Sequence, residues 1–244
     1  MSVLRINQLT KKFGNFIAVD DFNLTLEPSQ IYALLGPNGA GKTTTIKMVM
    51  GLLKPTKGQI KIADYDISKN RIEALQHVGF LPDEPFFHDY LKGVEILQFV
   101  GEMHNVDTKL IQDNINRYVK LFELEEAIED YAVNYSLGMK KRLGLIAAIM
   151  HSPNLLILDE PVNGLDPYGV KILHQFITDY TQKGNTVIYS THVLSQAETL
   201  CNSVGIMHKG KLVRSSSLVD LKNAYPQLST LEKIFFEMTG HHVE

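Results

Sequence analysis

Nine residues, Gly36-Pro-Asn-Gly-Ala-Gly-Lys-Thr-Thr44, constrain this chain more than any others. They match G-x-x-x-x-G-K-[ST], a loop whose backbone N–H groups cradle phosphate. The context agrees with the match. An apolar run from Ile31 to Leu35 leads in as a buried strand, and Thr45 to Leu53 leads out as a helix. The N–H groups of Asn38 to Thr43 must turn inward, which calls for glycine dihedrals at Gly36, Gly39 and Gly41. The following helix adds its positive dipole end. Lys42 supplies charge to the β- and γ-phosphates, and the Thr43 hydroxyl suits Mg²⁺. Pro37, Ala40 and Thr44 complete the binding loop.

The rest of the chain must supply a sheet around that loop. With 44% apolar and 21% charged residues in 244, the composition is globular, not disordered. Short β-rich runs open the chain at Val3 to Ile6 and Ala18 to Leu26, and Gln59 to Ile67 alternates like a half-buried strand. Val78 to Leu81 is a short apolar run before Pro82. From about Phe86 to Met150 the pattern turns helical, with helices predicted over Leu91 to Met103, Lys109 to Phe122 and Met139 to Met150. Strands at Leu155 to Leu158 and Thr186 to Ser190 then alternate with helices at Tyr168 to Gln182 and Val193 to Leu200. A hairpin follows, Val204 to Met207 with Lys211 to Val213, and an amphipathic tail helix from Leu231 to Met238. Apolar strands alternating with helices imply an α/β fold with a mostly parallel sheet covered on both faces. The β-rich start implies an antiparallel sheet packed beside it, and the helical block an insertion.

Two acids close the strand Leu155-Leu-Ile-Leu-Asp-Glu-Pro161. Side chains alternate along a strand, so Asp159 and Glu160 are expected to face different ways. Asp159 is assigned to the metal and Glu160 to the general base that activates water. His192 ends another buried strand, at the sheet edge where ligands sit. There it is placed to contact the γ-phosphate and to hold Glu160 and the water in line.

Other features exclude function classes. Twenty-four basic against 27 acidic residues give a net charge of −3, without the basic excess of a nucleic-acid binder. One cysteine, Cys201, excludes an internal disulfide framework and a cysteine-rich zinc site; it reads as a packed thiol. The His241-His242 pair is not assigned to a metal. No apolar run reaches the ~20 residues of a membrane span, and the first residues lack a signal-peptide core. A cytoplasmic protein is expected, with any membrane role supplied by a partner.

Taken in order, the phosphate loop, Gly79-Phe-Leu-Pro-Asp83, Tyr135-Ser-Leu-Gly-Met139, Leu158-Asp-Glu-Pro161, Asn163-Gly-Leu-Asp-Pro167 and Ser190-Thr-His192 resemble the ATP-binding-cassette ATPases over nearly the whole chain. The resemblance implies a P-loop NTPase (RecA-like) core forming one nucleotide-binding domain over 1–244, with a helical insertion over about 86–150 and a tail over about 217–244. It implies ATP and Mg²⁺ as ligands, and two subunits paired head to tail around two ATPs. Ser136 and Gly138 would then meet the ATP held by the other subunit, and Asp166 would lie between the two sites. Phe13 falls where the family stacks an aromatic on adenine. Asp83 stands where the family usually has Gln, a metal-site and catalytic position. Leu137 and Met139 replace the signature Gly and Gln, and Ser29 replaces a common Gly.

Within the family, a single cassette without a membrane span is similar to the nucleotide-binding subunits of bacterial exporters. The implied partners are an integral-membrane subunit and a second ATP-binding subunit, with no nucleic acid; the place is the inner face of the cell membrane. Phe86, Phe87, Tyr90 and Leu91 are candidates for the groove that receives the membrane subunit. The alternative is a soluble, non-transport cassette ATPase acting on a protein, ribosome or nucleic acid. The long coiled coils or zinc cysteines of its DNA-acting members are absent from the sequence. A nucleotide-binding regulator with little hydrolysis is a third reading, opposed by Glu160 and His192.

Overall fold

The computed structural model describes residues 2–240. Its strands are β1 (Leu4–Phe13), β2 (Phe16–Leu26), β3 (Ile31–Leu35), β4 (Lys57–Ile62), β5 (Tyr65–Asp66), β6 (Val78–Leu81), β7 (Leu155–Asp159), β8 (Thr186–Thr191), β9 (Ser203–His208) and β10 (Lys211–Ser217). Its helices are α1 (Lys42–Val49), α2 (Arg71–Leu75), α3 (Gly93–Met103), α4 (Thr108–Leu121), α5 (Leu137–Ile149), α6 (Pro167–Gln182), α7 (Leu194–Leu200), α8 (Leu218–Ala224) and α9 (Leu231–Thr239). The central sheet has the order β10-β9-β3-β8-β7-β6, parallel except for the edge strand β10. A second sheet, β2-β1-β4-β5, is antiparallel.

Every residue of β3, β7 and β8 is buried, because both faces of the central sheet are covered. Successive residues enter different cores. Ala33, Leu156 and Tyr189 pack with the helical block and with α6, α7 and α9. Tyr32, Ile157 and Ile188 pack with the antiparallel sheet and α1. The sheet is thus clamped between a β layer and a helical layer. The loops leaving β3, β6, β7 and β8 all emerge at its C-terminal edge, where a parallel sheet places its ligand.

Several boundaries differ from the sequence expectation, each for a local reason. β1 continues to Phe13 instead of stopping at Ile6. Gln8 and Asp21 take left-handed backbone (φ 48 each), and the pairing register shifts between Ile6 and Leu9, so the alternation is interrupted without ending the strand. The expected strand from Gln59 to Ile67 is a hairpin: Ala63 and Asp64 both have positive φ and turn β4 back into β5. α1 begins at Lys42, three residues before the expected start, because Gly41 (φ 106) already turns the chain into the helix. It ends at Val49, ahead of Gly51 at φ 62. The short helices α2 and α8 had no strong periodic signal. The three helices of the insertion stand within two residues of expectation.

The tail helix packs. Leu231, Ile234 and Phe235 are buried, and the Leu231 N–H donates to Glu198 of α7 at 3.2 Å. Cys201 is buried, and burial pushes its thiol far above the usual range, consistent with an inert packed side chain. His241 and His242 lie outside the described residues. No helix among the described residues is long and apolar enough to cross a membrane.

Candidate functional site

The phosphate loop hangs between β3 and α1. Gly39 (φ 80) and Gly41 (φ 106) need the left-handed region, as expected from sequence. Gly36 does not; its constraint is space, since a Cβ there would stand 2.6 Å from the Met207 carbonyl oxygen. The loop is braced from outside: the Gly210 N–H, in the turn between β9 and β10, donates to the Ala40 carbonyl at 3.0 Å. Lys42 is buried, and its ammonium donates to the carbonyls of Gly36 (2.6 Å) and Pro37 (3.4 Å). Burial lowers its pKa, while Glu160 and Asp159 push the other way and favour the charged form.

The metal-side residues meet at one point. The Thr43 hydroxyl donates to Asp159 Oδ2 at 3.2 Å, and the Ser190 hydroxyl donates to Oδ1 at 2.8 Å. Asp159 is the last residue of β7. Glu160 follows with left-handed backbone (φ 45), its N–H donating to the Ser190 carbonyl at 2.9 Å. The two acids therefore diverge because the strand has ended and the chain twists at Glu160, not because of strand alternation. The Glu160 carboxylate is held at 2.9 Å from His192 Nδ1 and accepts from the Thr191 hydroxyl at 3.3 Å.

A cavity of about 290 Å³ collects Pro37 to Thr44, Asp83, Asp159 and Glu160 with Phe13, Phe16 and Ala18. Phe13 is 49% exposed, so it is a wall of this cavity and not a core residue. Phe16, across the Gly14 turn, joins it and was missed from sequence; the signal was a second aromatic flanking that turn. A larger groove of about 810 Å³ between α4 and α6 contains none of these residues.

Asp83, just past β6, accepts at Oδ1 from Asn163 Nδ2 (3.0 Å) and faces the Lys141 ammonium at 3.5 Å. Lys141 was also missed. It sits on the buried face of α5 with Gly144, Leu145 and Ala148, at spacing i, i+3, i+4, i+7, and a lysine at such a position is the signal that was available.

Ser136 and Gly138 are not brought to the cavity. Ser136 is the exposed N-cap of α5, its Oγ accepting from the Met139 N–H at 3.2 Å. Gly138 is required by close approach, because a Cβ would stand 2.6 Å from the Gly164 carbonyl oxygen. Leu137 starts α5 and lies against Gly164, with 48% of its surface exposed, so that position tolerates a side chain. Asp166 caps α6, its Oδ1 accepting from the Gly169 N–H at 2.6 Å.

Known proteins share this arrangement. The family profile described as ABC transporter matches residues 19–163. A bacitracin transport ATP-binding protein, BcrA, of Bacillus licheniformis is 39% identical over 222 residues, covering 91% of this chain and 72% of its own length. An uncharacterized ABC transporter ATP-binding protein, YhcH, of Bacillus subtilis is 38% identical over 220 residues, 90% of this chain and 71% of its own. Among solved structures, the ATP binding subunit of an ABC transporter superposes with a TM-score of 0.93 at 27% identity, covering 97% of this chain and 99% of that one. The dimeric structure of a bacterial ABC transporter cassette, 20% identical with a TM-score of 0.80 over 88% of this chain and 98% of its own, shares the fold. The cradle, the paired acids and these relatives have one reading: the chain belongs to the ABC transporter ATP-binding proteins, a family of ATPases that pair and work with membrane transporter subunits.

Proposed function

We propose that this chain, one nucleotide-binding domain over 1–244 with its helical insertion (about 86–150) and tail (about 217–244), hydrolyses Mg²⁺-ATP in a head-to-tail pair and drives export through a separate membrane subunit. The carrying observation is the Glu160 carboxylate, held by His192 and Thr191 beside the Thr43–Asp159 pair. The Thr43 hydroxyl and the Asp159 carboxylate put two hard oxygen donors at one point, and Asp83 lines the same cavity; the set suits a small divalent cation that keeps several waters. When bound, that ion supplies charge compensation at the β- and γ-phosphate oxygens.

The chain's own residues do the rest. N–H groups of the loop and the Lys42 ammonium hold the phosphates, and Phe13 and Phe16 offer faces for the base. Glu160 accepts a proton from the attacking water, and His192 keeps its carboxylate aimed. Ser136 and Gly138, at the start of α5, serve the ATP of the second subunit, as the family resemblance implies; their place off this chain's own cavity is compatible with that role. Closing the pair brings the two halves together, and reopening after hydrolysis moves the membrane subunit.

The bacitracin transport relatives support a transport role over the non-transport alternative, and the place proposed is the inner face of the cell membrane. The membrane subunit is expected on the segment after β6. Phe86 and Tyr90 are 87% and 80% exposed there, whereas Phe87 packs against the helical core. The test is purification of Glu160→Gln from native membranes with ATP and Mg²⁺. A stoichiometric multi-span partner is expected, lost on Phe86→Glu with Tyr90→Glu. An ATP-bound homodimer without any membrane protein overturns the transport reading.

A further inference from the structure

Lys141 has a role that the phosphate cradle does not require. It is 1% exposed on the apolar face of α5. A methionine would pack there without burying a charge, so the ammonium calls for a reason. An ammonium carries three N–H groups, and each has one acceptor: the Pro82 carbonyl (3.3 Å), Asp83 Oδ1 (3.5 Å) and the Glu160 carbonyl (2.9 Å). Three separate segments therefore converge on one nitrogen: α5, the loop leaving β6 and the loop leaving β7.

The shortest contact falls on the strained residue. Glu160 has left-handed backbone (φ 45), a conformation that a glutamate keeps only when its surroundings impose it. Its N–H is held by the Ser190 carbonyl at 2.9 Å. Its carbonyl is held by Lys141 and, more weakly, by the Asn163 N–H at 3.3 Å. Asn163 in turn donates its side-chain amide to the same Asp83 oxygen that faces Lys141. Without the Lys141 contact, the Glu160 carbonyl keeps only the 3.3 Å bond from Asn163, and the backbone that aims the carboxylate at His192 loses its shortest restraint on that side.

We infer that Lys141 is a positioning residue for ATP hydrolysis: its ammonium locks the backbone of Glu160, so the base is aimed only while α5 and the loop after β6 are both seated against β7. The inference rests on the reading of Glu160 as general base. Ser136 caps α5, so the helix proposed to meet the second subunit's ATP also carries the lock on this chain's base.

The experiment measures kcat, KM and ATP affinity of the full chain, with its melting temperature. Lys141→Met is expected to lower kcat by about 10- to 100-fold while ATP affinity and melting temperature hold. Lys141→Gln, which keeps two donors, is expected to recover part of the loss, and it serves as the informative variant if Lys141→Met does not fold. An unchanged kcat in both overturns the inference. So does a loss of kcat accompanied by an equal loss of ATP affinity and stability, which is what a packing role would give. Glu160→Gln is the control. If it hydrolyses ATP normally, the base assignment and the route through it fall together. If it is inactive while Lys141→Met is normal, only Lys141's role falls.

Discussion

The two ends of the proposed nucleotide site are built differently. At the loop end, Lys42 and Asp159 are buried, and Thr43, Asp159 and Ser190 are linked by hydrogen bonds within one chain. At the α5 end, Ser136 is exposed and its hydroxyl only caps its own helix. One end is assembled within this chain; the other lies off that cavity. The loop end grows from a sheet buried on both faces, while the α5 end belongs to the helical block, joined to that sheet through side chains such as Lys141 and His151. On the function proposed above, binding and hydrolysis are separable: one chain suffices to hold ATP, and two are needed to use it.

The largest effect that tests this division is Lys42→Ala. The loop end loses its only buried cation among the cavity residues, and ATP affinity is expected to fall at least about 100-fold, since a charge-assisted contact to phosphate is removed from a desolvated site. Equilibrium binding of a fluorescent ATP analogue measures it. Ser136→Arg should leave that binding within about threefold but stop hydrolysis. Mixed with Lys42→Ala chains it should regain part of its activity, because each mixed pair has one intact composite site. Failure of the mixture to recover would break the idea of two half-sites.

A smaller effect concerns how the helical block is seated. His104, at the end of α3, stacks on His151, just past α5, with ring centroids 3.7 Å apart, and His151 Nε2 lies 3.1 Å from the Val78 carbonyl at the start of β6. Burial first, then His104, and also His77, push the His151 pKa down from 6.5 to about 4. The unfolded chain takes a proton near 6.5 and the folded chain near 4, so stability is present above this window and is lost as pH falls through it. The melting temperature should therefore drop as pH falls through that window. His151→Gln should flatten that limb. An equal drop in the variant would mean that other groups control the acid response.

The smallest expected effect lies on the loop side. Ser29 turns the chain into β3 with φ 66, a left-handed position that favours glycine. Ser29→Gly should add about 0.5–1 kcal/mol of stability, the relieved left-handed strain less the entropy cost of glycine, or roughly 1–4 °C in a thermal melt, with ATP binding unchanged. A loss of stability would show that the Ser29 side chain contributes more than its backbone strain costs.

Much of the loop end was legible in the sequence. The glycines, Lys42 and Thr43 are contiguous, and the strand before them is uniformly apolar because both of its faces are covered. The helical block was legible within two residues at each boundary tested by periodicity, since its helices carry buried stripes at helical spacing. Elements with irregular backbone were not legible in the same way. The bulges at Gln8 and Asp21 hid half of β1, and the left-handed pair Ala63-Asp64 hid a hairpin, because no glycine marks any of the four positions.

The phosphate cradle, the two acids after an apolar strand and the order of motifs can all be read along the chain. Each is a short contiguous pattern, demanded by the local geometry of a loop, a strand end or a helix cap. It takes the folded chain to show that Phe16 joins Phe13, that Glu160 sits in a left-handed turn, and that Lys141 meets Pro82 across 59 residues of chain and Glu160 across 19. Contacts between distant segments leave no period in the sequence. They exist because the sheet edge brings the ends of β6 and β7 together and α5 is packed over both.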